Sequence, residues 1–509
     1  VFAQTYGSTT LGLNGVLITV EVDIANGIPG FDIVGLPDAA VRESRERVRA
    51  AIKNSGFEFP GRRITVNLAP ADIKKDSSGL DLPIAIGILA ASGHINPGSC
   101  RCQVYAGELS LEGRLRGIAG LLSIAANCRG YNIAELVVAR ENAQEALLAG
   151  DLTVYAPPTL TELVAHLSGE KLLVPVTPEQ PGYQANDGLE DFADVQGQLV
   201  AKRALEIAAA GFHNVMMIGP PGAGKTMLAR RIPSILPAMT PQEALEVTKI
   251  YSVAGLLKNN MGLITNRPFR SPHHTVSTAG LIGGGSMPRP GEVTLSHNGV
   301  LFLDELAEFP RAILEVLRQP LEDGEVTIAR VNATLSFPAK LMLITALNPC
   351  PCGFSSDPAR DCSCTPGDIR RYQKKISGPL LDRIDISIHV PRLEYNDLVK
   401  DIPQESSAAI RRRVAAARLI QHQRLQHFGF YANAQMQHKH IKKICHLTAE
   451  AANLLKQAFS RMNLSARGYD RIIKVAQTIA DLDEAGQIEA RHIGEAIQFR
   501  NEFKTIASK

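Results

Sequence analysis

The residues Gly219, Pro220, Pro221, Gly222, Ala223, Gly224, Lys225 and Thr226 spell G-x-x-x-x-G-K-T between an apolar run, NVMMI, and a helical pattern, MLARRIPSIL. A glycine-rich loop joining a strand to a helix turns its backbone N–H groups and the helix N-terminus onto one point, where a phosphate chain fits. Lys225 would reach the β- and γ-phosphates of a nucleoside triphosphate, and the Thr226 hydroxyl would hold Mg2+. The matching acids stand in GVLFLDEL. Asp304 would share the Mg2+ with Thr226, and Glu305 would orient and deprotonate the attacking water. Asn348, near the end of AKLMLITALN, would sit between the γ-phosphate and that water. A nucleoside triphosphate with Mg2+ is what such a set calls for, and hydrolysis is its reaction. Phosphoryl transfer needs electrostatic help more than covalent help, so an arginine from another subunit is expected.

Positioning these side chains takes a sheet. NVMMIG, GVLFLDE and AKLMLITALN are near-continuous apolar runs, as strands are in the middle of a parallel sheet covered by helices. They fall in an α/β unit, residues 191–395. Before it, residues 1–170 read as alternating strand and helix: GVLITVEVDI and RITVNLAP alternate in the strand manner, and DAAVRESRERVRAAIKNSG has helical spacing and a glycine stop. Residues 171–190, rich in Pro, Gly, Asn and Asp, read as a linker. Residues 396–509 turn helical and basic, with candidate helices in AAIRRRVAAARLIQHQRL, TAEAANLLKQAFSRM, DRIIKVAQTIADL and EARHIGEAIQFRNEF.

Composition narrows the class. The 509 residues, 45% of them hydrophobic, can support about two to four packed domains. The start, VFAQTYGSTTLGLNG, lacks a basic segment followed by an apolar core, and no apolar run approaches about 18 residues. A cytoplasmic chain without a membrane span is expected. A net charge of +3 does not make the whole chain a nucleic-acid binder, so such binding must come from local patches.

Four of the eight cysteines crowd into CPCGFSSDPARDCSC. Cys350 with Cys352 and Cys362 with Cys364 are two C-x-C pairs, tighter than the usual C-x2-C zinc spacing. Four thiolates from two short turns can enclose a tetrahedral Zn2+, giving a structural site. A reducing compartment disfavours disulfides, and four cysteines leave no open position for catalysis. Cys100, Cys102, Cys128 and Cys445 read as ordinary thiols.

The glycine-rich loop, Asp304 with Glu305, Asn348 and the string SGPLLDRIDI together resemble an AAA+ ATPase of the magnesium-chelatase-like branch, and SPHHTVSTAGLIGGG is similar to that branch as well. Across essentially the whole chain the resemblance is to the YifB/ComM family. It implies an N-terminal domain like that of Lon protease (ribosomal S5 domain 2-like), an AAA+ P-loop core and a helical lid of the magnesium-chelatase C-terminal type. It also implies that ATP is the nucleotide and that Arg383 is the arginine finger that reaches a neighbour's γ-phosphate, although an ordinary ion pair is the alternative for that residue. Arg467 matches sensor 2, with Arg471 one helical turn away and able to face the same site. A finger acting on a neighbour requires a ring, six subunits by resemblance. The function implied is an ATP-driven helicase that promotes branch migration and strand exchange in homologous recombination during natural transformation. Its partners would be single-stranded and branched DNA and recombination proteins. The alternative, from another class, is a chelatase-type motor subunit acting with a metal-inserting partner.

Lon-type peptidases use a serine and a lysine. KKDSSGLDLPIA resembles the serine segment and GELSLEGRLRGIAGLLSIA the lysine segment, yet Gly79 and Leu122 stand where those residues would be. Ser77 and Ser78 lie nearby, but no base is left to activate either. A non-proteolytic scaffold or partner-binding domain is expected. For DNA, two elements would line a ring's pore. LEDGEVTIARVNATLSFPAK reads as a helix end and a hairpin, with Arg330 to Asn332 near its turn, and GLIGGGSMPRPGEV is a mobile loop carrying Arg289. Isolated arginines suit a grip on phosphates that must be released at each step. The lid's Arg411, Arg412, Arg413, Arg418 and Arg424, with HKHIKK, offer a second basic surface.

Overall fold

The computed structural model describes residues 1–75, 78–131, 133–179, 190–257, 262–285, 287–330, 333–355, 357, 360–393 and 403–500. Ser77, Asn332 and residues 180–189 of the expected linker lie outside the described residues, as does the expected boundary near residue 396.

The N-terminal unit is a seven-stranded sheet in the order Gly30–Val34, Arg63–Ala69, Asn14–Ala25, Phe2–Leu11, Gln103–Ala106, Glu135–Val138, Thr153–Tyr155. Phe2–Leu11 and Asn14–Ala25 form a long antiparallel hairpin, turned at Gly12 with φ +64. Asp81–Ala91 is apolar almost all round and buried along its whole length, as a core helix must be. Ala39–Asn54 instead buries one stripe, with Val41, Val48, Ala51 and Ile52 inward, and the Asp38 carboxylate caps its first turn.

Leu122 lies in the helix Leu121–Cys128, which packs against the helix Pro241–Val253 of the next unit. The Leu122 N–H donates to Glu145 Oε1 at 2.9 Å, and the Ser252 hydroxyl donates to the same oxygen. A further bond runs from the Gly120 N–H to the Ser252 carbonyl at 3.0 Å. The segment that resembles a peptidase's lysine segment is therefore a joint between the two units.

The second unit contains a five-stranded parallel sheet, in the order Phe269–Arg270, Val300–Leu303, Met342–Leu347, Val215–Ile218, Ile386–His389. All residues of Val215–Ile218, Val300–Leu303 and Met342–Leu347 are buried, which is why their sequences read as continuous apolar runs. The stretch with Arg289 is more ordered than a mobile loop: a short helix, Thr278–Ile282, leads into Gly283–Gly284 paired with Arg289–Pro290, and Gly283 fits because its Cβ would meet the Arg289 carbonyl at 2.3 Å. The expected hairpin is present as Glu325–Arg330 paired with Ala333–Pro338.

The C-terminal helices Ser407–Leu425, Ala449–Arg461, Ala466–Leu482 and Ala490–Gln498 stand where helical spacing places them, and a shorter one, His438–Ile444, runs through the basic string HKHIKK. They do not close a core of their own: Ile410, Val414, Ile472 and Ile473 join Val215, Met217 and Ile386 of the sheet in one apolar cluster. That packing engages three arginines of the expected second basic surface, while Arg412, Lys439, Lys442 and Lys443 stay exposed. Arg413 is paired with Glu206 and Glu405, Arg424 with Asp481, and Arg418 lies over the Phe212 ring while donating to the Ala209 carbonyl. Arg413 and Arg418 tie the helix Ser407–Leu425 to the core helix Leu199–Gly211, whereas Arg424 and Asp481 join two of the C-terminal helices to each other.

Candidate functional site

The loop Gly219 to Gly224 leaves the sheet at the end of Val215–Ile218, and the helix Lys225–Ile235 starts from it. Gly222 and Gly224 take φ +78 and +87, the left-handed turns that aim the helix N-terminus into the loop. Gly219 has no room for a side chain, since a Cβ there would lie 2.1 Å from the Val390 carbonyl. Lys225 is almost buried and donates to the carbonyls of Gly219 and Pro220 at 2.8 and 2.9 Å and to Asn348 Oδ1 at 3.3 Å. Burial pushes its ammonium down to about 8, against the pull of Asp304 and Glu305.

Across the loop, the Thr226 hydroxyl donates to Asp304 Oδ2 at 2.6 Å. These two side chains would hold Mg2+, and their contact puts both on the same point. Glu305 takes a left-handed backbone at φ +51, unusual for a residue with a Cβ, which turns its exposed carboxylate away from the strand. Its Oε2 lies 3.8 Å from His274 Nδ1. The sequence offered SPHHTVS as part of a resemblance without a role for His274. Six sequence-predicted groups thus meet at one place: the loop, Lys225, Thr226, Asp304, Glu305 and Asn348.

Arg383 and Arg467 do not join them. Arg383 precedes the strand Ile386–His389, and its carbonyl accepts from Asn214 Nδ2 at 2.8 Å, just before Val215–Ile218. Those strands run parallel, paired from Val215↔Ile386 to Ile218↔His389, and the phosphate loop follows their far end. About 10 Å of strand or more separates Arg383 from the loop. Arg383 instead lines a cavity of about 550 Å³ with Arg467, Arg471 and Glu322. One Glu322 oxygen accepts from Arg383 Nη2, and the other lies 3.8 Å from Arg467 Nη2. Arg467 sits in the first turn of Ala466–Leu482, behind the Ser465 cap, and is exposed. Arg471 is nearly buried, with Nε 3.6 Å from Asp385 Oδ1. Glu322 carries no sequence signal, because nothing about a lone glutamate near a hairpin reveals which arginines fold onto it.

The four clustered cysteines come together with every pair of Sγ atoms within 4.8 Å. Cys350 and Cys352 are 3.3 Å apart, Cys350 and Cys362 3.7 Å, and Cys352 and Cys362 3.6 Å. A tetrahedral ion with Zn–S bonds of about 2.3 Å sets its sulfurs about 3.8 Å apart, so the donor set fits Zn2+. Hydrogen bonding, first from the Phe354 backbone, holds the Cys352 thiol down to about 6. The cluster touches the nucleotide site directly: a Cβ on Gly353, whose φ is +89, would lie 2.7 Å from Pro221 Cδ and 3.9 Å from Asn348 Cγ.

Arg289 and Arg330 are exposed and neighbouring. Gly284 pairs with Arg289, and a Cβ on Gly284 would lie 3.5 Å from Arg330 Nη2.

Comparison with known proteins follows this division. Residues 20–142 match the family described as subunit ChlI of Mg-chelatase, residues 191–398 the one described as magnesium chelatase, subunit ChlI, and residues 404–500 the ChlI C-terminal family. The chain is 43% identical over 505 residues to competence protein ComM of Haemophilus influenzae, covering 98% of this chain and 97% of ComM. It is 42% identical over 491 residues to YifB of Escherichia coli K12, covering 96% and 95%. A shorter likeness, 29% identity over 150 residues, links 27% of the chain to 26% of Lon protease 2 of Bacillus subtilis.

Two outcomes follow from the phosphate loop. Lys225→Ala is expected to lose ATP binding, whereas Glu305→Gln should bind ATP and turn it over at least about 100-fold more slowly; equal loss of binding in both, by fluorescence polarisation of a labelled ATP, contradicts the roles given. Because phosphates select the ammonium form, ATP affinity is expected to fall by up to about tenfold per pH unit as pH rises above 8. Lys225→Arg, which stays charged, should remove that fall, and a wild-type affinity that is level from about pH 7 to about 9.5 speaks against a depressed lysine.

Proposed function

The chain belongs to the magnesium-chelatase-like family of ComM and YifB, and from that premise we propose that it is an ATP-driven, ring-forming DNA motor. The observation that carries the reading is the separation just described. One chain holds the phosphate loop, the Mg2+ ligands and the water-activating acid at one end of its parallel sheet, and Arg383 with Arg467 toward the other. Arginines that far from their own loop can neutralise a developing γ-phosphate charge only on another subunit's nucleotide. Contacts of this head-to-tail kind close into a ring, six-membered by family likeness. In this assignment Thr226 and Asp304 hold Mg2+, Lys225 holds the terminal phosphates, Glu305 takes the proton from water, and Asn348 orients that water. Arg383 of the next subunit is the finger. Arg467 is favoured over Arg471 as sensor 2, since Arg471 is already engaged by Asp385.

DNA is the polymer the ring is proposed to move. Arg289 and Arg330 stand exposed on two adjoining hairpins, and isolated arginines bind backbone phosphates without fixing sequence. With the likeness to a competence protein, this supports a helicase promoting branch migration in recombination. The four cysteines are proposed to hold a structural Zn2+ that stiffens the connection beside Asn348 and Pro221. The N-terminal unit is a docking scaffold without peptidase chemistry.

ATP hydrolysis is expected to rise several-fold with single-stranded DNA or a four-way junction, and Arg289→Ala with Arg330→Ala should reduce that stimulation and weaken its dependence on salt. No stimulation and no unwinding of either DNA would sink the DNA-motor reading in favour of a chelatase-type subunit. Elemental analysis is expected to find about one zinc per chain, lost in Cys362→Ser; zinc-free protein of unchanged melting temperature would contradict the structural clip.

A further inference from the structure

The finger and sensor arginines meet on an acid that the reaction itself does not need. We infer that Glu322 is a positioning residue for both: its carboxylate parks Arg383 and Arg467 together at the root of the Glu325–Arg330 hairpin, and releases them when a neighbour's γ-phosphate takes its place. The inference rests on the reading of Arg383 as a finger acting on the next subunit.

A carboxylate offers two oxygens, and here each faces a different guanidinium, Arg383 Nη2 on one side and Arg467 Nη2, 3.8 Å away, on the other. The arrangement mimics an oxyanion held between two arginines, which is what a terminal phosphate would present with more oxygens and more charge. Arg383 is itself half-fixed. Its Nη1 donates to the Pro379 carbonyl at 2.8 Å, while its buried Nε has no hydrogen-bond partner among the described residues. The Arg383 side chain is about 10% exposed, so it must swing out to reach a neighbour's phosphate. The competing acid Asp385 is engaged by His213 and Arg471, so it does not substitute for Glu322. Glu322 and Arg467 are each more than half exposed, and an exposed carboxylate holds an arginine weakly enough to be displaced.

The position of Glu322 gives the parking a consequence. It is the next-to-last residue of the helix Arg318–Asp323, and Gly324, at φ +70, turns that helix straight into the hairpin. The turn is tied on both sides, from the Gly324 N–H to the Pro320 carbonyl at 3.0 Å and from the Ala339 N–H to the Gly324 carbonyl at 2.8 Å. A displacement of the hairpin therefore carries Glu322 with it, and alters how readily the two arginines leave.

The test uses full-length rings and steady-state ATPase rates over a range of ATP concentrations. Glu322→Gln keeps the shape and removes the charge. With the arginines no longer parked, a larger fraction of subunits is competent before ATP binds, so KM for ATP is expected to fall by about threefold or more with kcat level or raised. Glu322→Asp, which keeps the charge, should return KM toward the wild-type value; a merely structural role would not sort the two variants by charge. If Glu322→Gln has wild-type KM, or loses turnover as Arg383→Ala does, the parking role is overturned. Arg383→Ala separates the two levels of the argument. Should that variant turn over ATP at the wild-type rate, the finger reading falls and this inference with it; an inactive Arg383→Ala beside an unaltered Glu322→Gln overturns the inference alone.

Discussion

The contact between the Lys225 ammonium and three oxygens, the Gly219 and Pro220 carbonyls and Asn348 Oδ1, is the constraint on which the rest of the structure depends. A nearly buried ammonium is tolerated only where oxygens surround it, and the only way to bring them there is to fold the loop back over its own lysine. Two parallel strands must end side by side for this, Val215–Ile218 to launch the loop and Met342–Leu347 to deliver Asn348. A third, Val300–Leu303, brings Asp304 to Thr226. The sheet is the device that makes three distant segments end at one phosphate. The cysteine cluster extends the same logic, because Gly353 lies so close to Pro221 that a Cβ there would meet its ring at 2.7 Å, and the cysteine turn packs directly on the phosphate loop.

Much of this was legible in the sequence, for a definite reason. Strands buried on both faces must be apolar throughout, so VMMI, VLFL and MLITAL announced themselves, and a loop whose glycines take positive φ has little choice of residues. The strand Phe2–Leu11 hides behind its threonines, serine and glycine, since it becomes an inner strand only once it is paired on both sides, with Asn14–Ala25 and Gln103–Ala106. The pairing of the C-terminal arginines was hidden for a related reason. The partners of Arg413 and Arg424, Glu206 and Asp481, lie far along the chain, and only the tertiary fold brings them together. Glu322 was invisible on the same grounds, as was the contact of His274 with Glu305.

The N-terminal unit meets the second unit at the segment that resembles a peptidase's lysine segment. Where a peptidase would place a lysine, Leu122 is buried, and its backbone N–H shares the Glu145 carboxylate with Ser252 of the second unit. The Phe2–Ala25 hairpin reaches the second unit's hairpin as well: Leu335 of the Ala333–Pro338 strand stands 3.7 Å from where a Cβ on Gly12 would be. The N-terminal unit thus contacts both the helix Pro241–Val253 and the arginine-bearing hairpin.

In the proposed ring each ATP is held by one chain and hydrolysed with the help of the next. An experimental structure of the Glu305→Gln ring, trapped with ATP and Mg2+, decides this. Arg383 of one subunit is expected within hydrogen-bond reach of the γ-phosphate bound by its neighbour's Lys225, and no longer on Glu322. A closed ring with bound ATP in which Arg383 still pairs with Glu322, and no arginine from a neighbour contacts the nucleotide, would contradict it.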